Sequence, residues 1–332
     1  MILKRPILIV DDEPMNLSIL ECILENDYDL VYARNGHEAL EAVTKHNPSL
    51  ILLDVQMPEL DGYDVCKRLK ANPKTEDIPI IFVTALSDLG HEEHGFEVGC
   101  VDYLSKPVVP SIVRARVKTH LSLVQVGQLQ QSQRDAIYML GDAGHYNDND
   151  TGVHIWRMAA YAKVIAKRMG WSVVDTELIE LSAPMHDTGK IGIRDAILCK
   201  PGKLDAEEWS IMQTHCQIGH DILSKSHAPV FKMAAEIALY HHEKWDGTGY
   251  PFGLKGTEIP EAARIVAVAD VFDALTMQRP YKAAWSDADA IKYISSNSGL
   301  HFDPEIVNCF LACQQQLLQI KQDWNQKEIS VY

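Results

Sequence analysis

A chain of 332 residues is long for one hydrophobic core and suits two domains. Its formal net charge of −15 excludes a broad nucleic-acid footprint, which needs a basic face, but not a small anion held by cations and a few Lys or Arg residues. Hydrophobic and charged shares of 46% and 23% are those of a soluble globular protein, and no run approaches the ~18 apolar residues of a membrane span. The opening Met1-Ile2-Leu3-Lys4-Arg5-Pro6 lacks the layout of a signal peptide. None of the seven cysteines forms a Cys-x-x-Cys pair, and Cys309 and Cys313, one turn apart in an apolar stretch, are expected as buried thiols rather than a disulfide. A reducing compartment follows, so the cytoplasm is the expected location, with no membrane partner.

Along residues 1–122, short apolar runs alternate with helical patterns. Ile7-Leu8-Ile9-Val10, Leu50-Ile51-Leu52-Leu53 and Ile78-Pro79-Ile80-Ile81-Phe82-Val83 read as strands buried on both faces of a parallel sheet. Between them, Leu17, Leu20, Ile23 and Leu24, and then Ala39, Leu40, Ala42 and Val43, recur at helical spacing. The alternation predicts a doubly wound α/β domain with a five-stranded parallel sheet, whose ligands bind beyond the carboxyl ends of the strands. Asp11 and Asp12 follow the first strand and Asp54 ends the third, so three carboxylates converge on one pocket. Their repulsion calls for a hard divalent cation, most simply Mg. Thr84 and Lys106 follow strands four and five and add a hydroxyl and a positive charge at the same edge. Carboxylate nucleophile, metal and lysine together suit phosphoryl acceptance.

This stretch resembles the response-regulator receiver family over roughly residues 5–122. The residues that carry the likeness are Asp11-Asp12, Asp54 with Met57-Pro58 and Gly62, Thr84-Ala85 and Lys106-Pro107. The resemblance implies that Asp54 accepts phosphoryl and that Asp11, Asp12 and the Gln56 carbonyl hold Mg. It implies too that Thr84 and Lys106 read the phosphoryl oxygens, that Tyr103 is the switching aromatic, and that the Lys106-Pro107 peptide is cis. A cognate sensor histidine kinase is the implied partner.

From Pro110 to Leu140 the pattern stays helical, and residues 123–145 read as a helical linker that leaves a dimer-forming coiled coil open; regular patterning is lost at Gly141-Asp142-Ala143-Gly144. Residues 146–332 carry helical patterns at Ile155–Met169, Glu177–Met185, Glu207–Leu223, Phe231–His241 and Ala262–Leu275, and few strand candidates. A last helix opens with Asp303 as cap and Pro304 at its first position. This domain is expected to be all-α, with no DNA-binding module.

Most of the 14 histidines lie here, several beside acids: His154, His186-Asp187, His215, His241-His242, and Asp270 with Asp273. Imidazoles mixed with carboxylates suit first-row transition metals better than Mg. The order resembles the HD superfamily of metal-dependent phosphohydrolases. Over residues 146–312 it resembles the HD-GYP subfamily, through His186-Asp187-Thr188-Gly189-Lys190, the run from His241 to Pro251, Asp270-Val271-Phe272-Asp273-Ala274-Leu275, Arg279-Pro280-Tyr281 and Phe302-Asp303-Pro304. The implied activity is hydrolysis of the bacterial second messenger cyclic di-GMP by metal-activated water. The implied cofactors are two transition-metal ions, Fe or Mn first and Zn or Ni second. His154, His186, Asp187 and Asp270 would bind one ion, with Asp187 bridging to another held by His215 and His241 or His242. Lys190 joins Asp187 as a catalytic residue. Asp273, Arg279, Lys282 and Tyr250 are candidates for substrate binding.

One position departs from the family. Where many members carry Glu, this chain has the shorter Asp150, so a dinuclear site and linear pGpG as the main product are expected. Two other readings are a catalytically silent HD-GYP regulator and a phosphodiesterase for another cyclic dinucleotide.

Overall fold

The computed structural model describes residues 5–85, 95–145, 152–277 and 284–331. The chain divides into two compact units, Met1–Ser132 and Gln133–Tyr332.

In the first unit, β1 (Ile7–Val10), β2 (Leu30–Ala33), β3 (Leu50–Asp54), β4 (Ile80–Thr84) and β5 (Asp102–Ser105) form one parallel sheet ordered β2-β1-β3-β4-β5. The three apolar runs become the central strands β1, β3 and β4, every residue of which is buried, while edge strands β2 and β5 are only partly covered. One core layer joins Leu8, Val10, Ile51 and Leu53 to the helices α2 (Gly36–His46) and α3 (Gly62–Lys70). The opposite layer sets Ile7, Ile9, Leu50 and Leu52 against α1 (Pro14–Leu24) and against Val113 and Val117 of α4 (Pro110–His145). Period-two alternation sends successive residues of each strand to these two layers. Strand order reverses between β1 and β3, so the crevice beyond their carboxyl ends is the topological switch point.

The 36-residue α4 belongs to the first unit up to Ser132 and to the second from Gln133. It continues to His145, through the Gly141–Gly144 stretch where the sequence pattern fades. Packing overrides propensity there. A Cβ on Gly141 would lie 3.2 Å from Pro184 Cβ, and one on Gly144 would lie 3.0 Å from Thr188 Cα, so a side chain at either position would crowd its neighbour.

The second unit is helical: α5 (Gly152–Arg168), α6 (Val173–Ser182), α7 (Asp195–Leu198), α8 (Ala206–Gln213), α9 (His215–Leu223), α10 (Pro229–Tyr240), α11 (Glu261–Thr276), α12 (Asp287–Ser296), α13 (Pro304–Ala312) and α14 (Gln314–Val331), with short 3-10 turns at Ala183–Met185, Thr188–Gly192 and Gly256–Glu258. The main core packs α5, α11, α13 and Leu317 around Tyr161, Phe272 and Phe310. A smaller cluster joins Ile137 of α4 to Met185, Leu223, Ala234 and Ala238. Two expected helices each divide in two. Glu207–Leu223 breaks at Thr214, and the last helix breaks at Cys313. Cys309 and Cys313 are free thiols, half-buried and buried. Among the described residues no helix is long and apolar enough to cross a membrane.

Candidate functional site

In the first unit the switch-point crevice holds the predicted acids. One oxygen of each of Asp11, Asp12 and Asp54 lies within 4.8 Å of the others. Lys106 Nζ stands 2.8 Å from Asp11 Oδ2 and 2.8 Å from Asp54 Oδ2. Glu13 N–H and Asn16 Nδ2 donate to Asp11 Oδ1, and Gln56 N–H donates to Asp54 Oδ1. Burial pushes the Asp54 carboxyl above its ordinary range against the pull of Lys106. For Lys106, burial works downward, but the bonds to Asp11 and Asp54 hold the ammonium above its usual value. Thr84 ends β4, buried, and the Lys106–Pro107 peptide is cis. Tyr103 lies on β5, its ring 5.5 Å from Phe82 and 5.4 Å from Phe96.

In the second unit five segments converge. His154 comes from α5; His186 and Asp187 lie between two 3-10 turns; His215 opens α9; His241 and His242 follow α10; Asp270 comes from α11. The break at Thr214 aims His215: its Nδ1 meets the Met212 carbonyl at 2.8 Å, leaving Nε2 at 3.4 Å from Asp187 Oδ1. His241 Nε2 lies 3.7 Å from the same oxygen, and Asp187, His215, His241 and His242 each offer a ligand atom within 4.8 Å of the rest. On the other side of the carboxylate, Asp187 Oδ2 lies 3.2 Å from His186 Nε2. Asp270 Oδ1 stands 3.9 Å from that Nε2 and 3.8 Å from His154 Nε2. Asp187 thus faces His186 with one oxygen and His215 and His241 with the other.

These residues fit divalent metal. Asp187 Oδ1 and His241 Nε2 are buried with no hydrogen-bond partner among the described residues, which is unfavourable unless a cation sits between them. Nδ1 of His186, His215 and His241 each meets a main-chain carbonyl, so the tautomer that presents Nε2 is fixed before any ligand binds. Burial holds His215 neutral, down to about 4, and lowers His242 strongly, leaving lone pairs available. His186 goes the other way: burial is outweighed by Asp187 and Asp270, which raise it to about 9. A divalent ion would displace that proton. Lys190 Nζ lies 2.8 Å from Asp187 Oδ2. Tyr250, in a loop with a cis Tyr250–Pro251 peptide, stacks on His242 with ring centroids 4.7 Å apart.

Asp273 is not where a substrate-binding residue would be. It is fully buried, accepting from Arg157 Nε at 2.6 Å and Nη2 at 2.8 Å, and it meets His154 Nδ1 on its other side. A carboxylate enclosed by a guanidinium and an imidazole has no oxygen left to accept from a substrate donor. It holds His154 at Nδ1, on the side away from Asp270. Arg157, which sequence reasoning passed over, lies one turn after His154 on the buried stripe of α5, and an Arg there requires a buried acid. Glu243 was also missed. Its carboxylate accepts from the N–H groups of Phe252, Gly253 and Leu254 and so folds the loop that carries Tyr250. Asp150, Arg279 and Lys282 lie outside the described residues.

A response regulator receiver domain model matches residues 7–118, and an HD domain model matches residues 121–306. The chain is therefore a response regulator with an HD-domain output that binds divalent metal. A protein of Vibrio cholerae described as a probable cyclic di-GMP phosphodiesterase is 39% identical, over 97% of this chain and 80% of its own length. A cyclic di-GMP phosphodiesterase response regulator of Xanthomonas campestris pv. campestris is 37% identical, over 95% of this chain and 89% of its own. A 3'3'-cGAMP-specific phosphodiesterase of Vibrio cholerae is 41% identical, over 58% of this chain and 37% of its own. The chain belongs to the HD-GYP response regulators, the cyclic di-GMP phosphodiesterase family, and is a phosphodiesterase.

Proposed function

We propose that this protein hydrolyses cyclic di-GMP to linear pGpG under control of phosphorylation at Asp54. The observation that carries the reading is the buried Asp187 carboxylate, with His186 at one oxygen and His215 and His241 at the other, whose Oδ1 has no hydrogen-bond partner among the described residues. His154, His186, Asp187 and Asp270 would hold one ion, and Asp187, His215, His241 and His242 a second; Fe or Mn is the expected metal, before Zn or Ni. Two divalent ions supply, when bound, a water of lowered pKa and neutralisation of the phosphodiester charge. Lys190, beside Asp187, adds a fixed positive charge for the phosphate oxygens or the leaving group. Arg279 and Lys282 are proposed to grip a substrate phosphate. Asp150, one methylene shorter than Glu, leaves the centre dinuclear.

In the receiver, Asp11, Asp12 and the Gln56 carbonyl would hold Mg, with Thr84 and Lys106 on the phosphoryl oxygens and Tyr103 as the switching aromatic. The receiver family implies a phosphodonor, and we take it to be a cognate sensor histidine kinase in the cytoplasm. Hydrolysis of cyclic di-GMP by the metal-loaded wild type beside Asp187→Ala, with metal analysis and chromatography of products, tests this. Intact substrate with fully loaded wild type would favour a silent regulator. The similarity to a 3'3'-cGAMP-specific enzyme supports one alternative substrate, so both cyclic dinucleotides belong in the same assay.

A further inference from the structure

Trp209 is an exposed indole with an uncommon neighbour. It lies on α8, a helix with no buried residue, and is 45% exposed. Its ring meets Tyr250 edge to face, with centroids 5.9 Å apart, and Tyr250 stacks on His242 and stands 6.5 Å from His215. The indole is thus one ring removed from two imidazoles of the proposed metal centre. α8 does not need it as a core anchor. The helix is held at its start by a complete capping box between Asp205 and Glu208, and Glu208 also pairs with Lys200. A large aromatic face left in water beside a polar site suits a flat, π-faced ligand, since indole stacking gives substantial binding without fixing sequence. Ile191, directly after Lys190 and 65% exposed, adds apolar surface next to the catalytic lysine.

We propose that Trp209 is the stacking platform for one purine base of the cyclic dinucleotide, a positioning and specificity residue for the reaction assigned above, on which this inference rests. In a nucleotide the base stands one sugar away from its phosphate. A platform one ring beyond the metal-facing imidazoles therefore lies on the path a base takes when its phosphodiester reaches Asp187 and Lys190. Tyr250 fixes the indole from one side and His242 backs Tyr250. The three rings form a graded wall from metal ligand to base.

The test compares full-length, metal-loaded wild type with Trp209→Ala and Trp209→Phe. Trp209→Ala should raise KM for cyclic di-GMP by about 5- to 100-fold with a much smaller fall in kcat, and Trp209→Phe, which keeps a π-face, should recover most of that loss. Stopped-flow mixing gives an independent readout: tryptophan emission of the wild type should be quenched on binding, before turnover, and the quench should vanish in Trp209→Phe. KM within twofold of wild type in Trp209→Ala, or a quench that persists in Trp209→Phe, overturns the proposal even if Trp209→Ala folds poorly. A wild type that neither binds nor hydrolyses the dinucleotide overturns the assigned activity and this inference together. Normal turnover with an indifferent Trp209 overturns the inference alone.

Discussion

Replacing Arg157 with Met removes the guanidinium but leaves the Asp273 carboxylate fully buried. In the wild type that carboxylate is held below its usual range; burial pushes it up, and the bonds from Arg157 and His154 more than reverse the push. Removing one partner of a buried, hydrogen-bonded ion pair destabilises by about 3–5 kcal/mol, because the other charge stays uncompensated. Both side chains are essentially inaccessible, at 2% and 0%, so solvent cannot screen the loss. At about 2–4 °C per kcal/mol for a unit of this size, the melting temperature of the unit Gln133–Tyr332 should fall by roughly 6–20 °C.

The double variant Arg157→Met, Asp273→Leu separates stability from function. With both charges gone, the apolar pair should restore most of the lost stability, since an ion pair of this kind is often no better than well-packed hydrophobic residues. Activity should not return. His154 will have lost the carboxylate at Nδ1 that aims its Nε2 at Asp270, and loss of such a supporting partner typically costs about 10- to 100-fold in metal affinity or activity. Calorimetry and a metal-binding titration on the same preparations decide the matter. An unchanged melting temperature in Arg157→Met would refute the reasoning about burial, and full activity in the double variant would refute the orienting role.

Gly189→Ala places a Cβ against the His215 carbonyl and 2.5 Å from Gly219 N, both main-chain atoms. We expect about 1–3 kcal/mol of destabilisation and a marked loss of bound metal as α9 and His215 are pushed from Asp187, read by melting and metal analysis. Glu243→Ala removes the charged acceptor of three part-buried loop N–H groups, at about 1–3 kcal/mol, whereas Glu243→Gln keeps an acceptor and should lose less; urea midpoints rank the two. His301 is lowered from 6.5 to about 4 by burial and by Lys244, so the folded state binds fewer protons than the unfolded one between those values. Its contribution to stability is complete above about pH 6.5 and is lost as pH falls toward 4, and His301→Gln should flatten that part of a urea-midpoint profile. Asp54→Asn should abolish the phosphoryl adduct that intact-mass measurement detects after incubation with acetyl phosphate and Mg.

The receiver sheet was legible because its three central strands are buried on both faces. Parallel strands of this kind leave short, wholly apolar runs, and polar residues at their ends fall on one edge whatever the helices do. Ligand types in the second unit were legible for a related reason. His186-Asp187 and His241-His242 are adjacent in sequence, so their proximity needs no tertiary knowledge. Harder to read were the helix ends. The pattern from Glu207 to Leu223 has apolar residues at helical spacing on both sides of Thr214, and only packing against the 3-10 turn decides that the axis changes direction there.

Side-chain direction was less accessible still. Asp270 and Asp273 are the same residue type three apart on α11, yet one faces His154 Nε2 and the other its Nδ1. Periodicity puts both near one face and cannot say which reaches the open side of the site. The discriminating signal was on another helix. Arg157 shares the buried stripe of α5 with His154 and Tyr161, and a guanidinium at such a position must find an acid of equal depth. Of the two carboxylates on α11, the deeper one answers that need, while the half-buried Asp270 stays open toward Nε2 of His154 and His186. Gly144 follows the same logic. In sequence it weakens a helix, but the close contact that favours it, with the residue next to Asp187, is made from a segment 44 residues away and exists only in the folded chain.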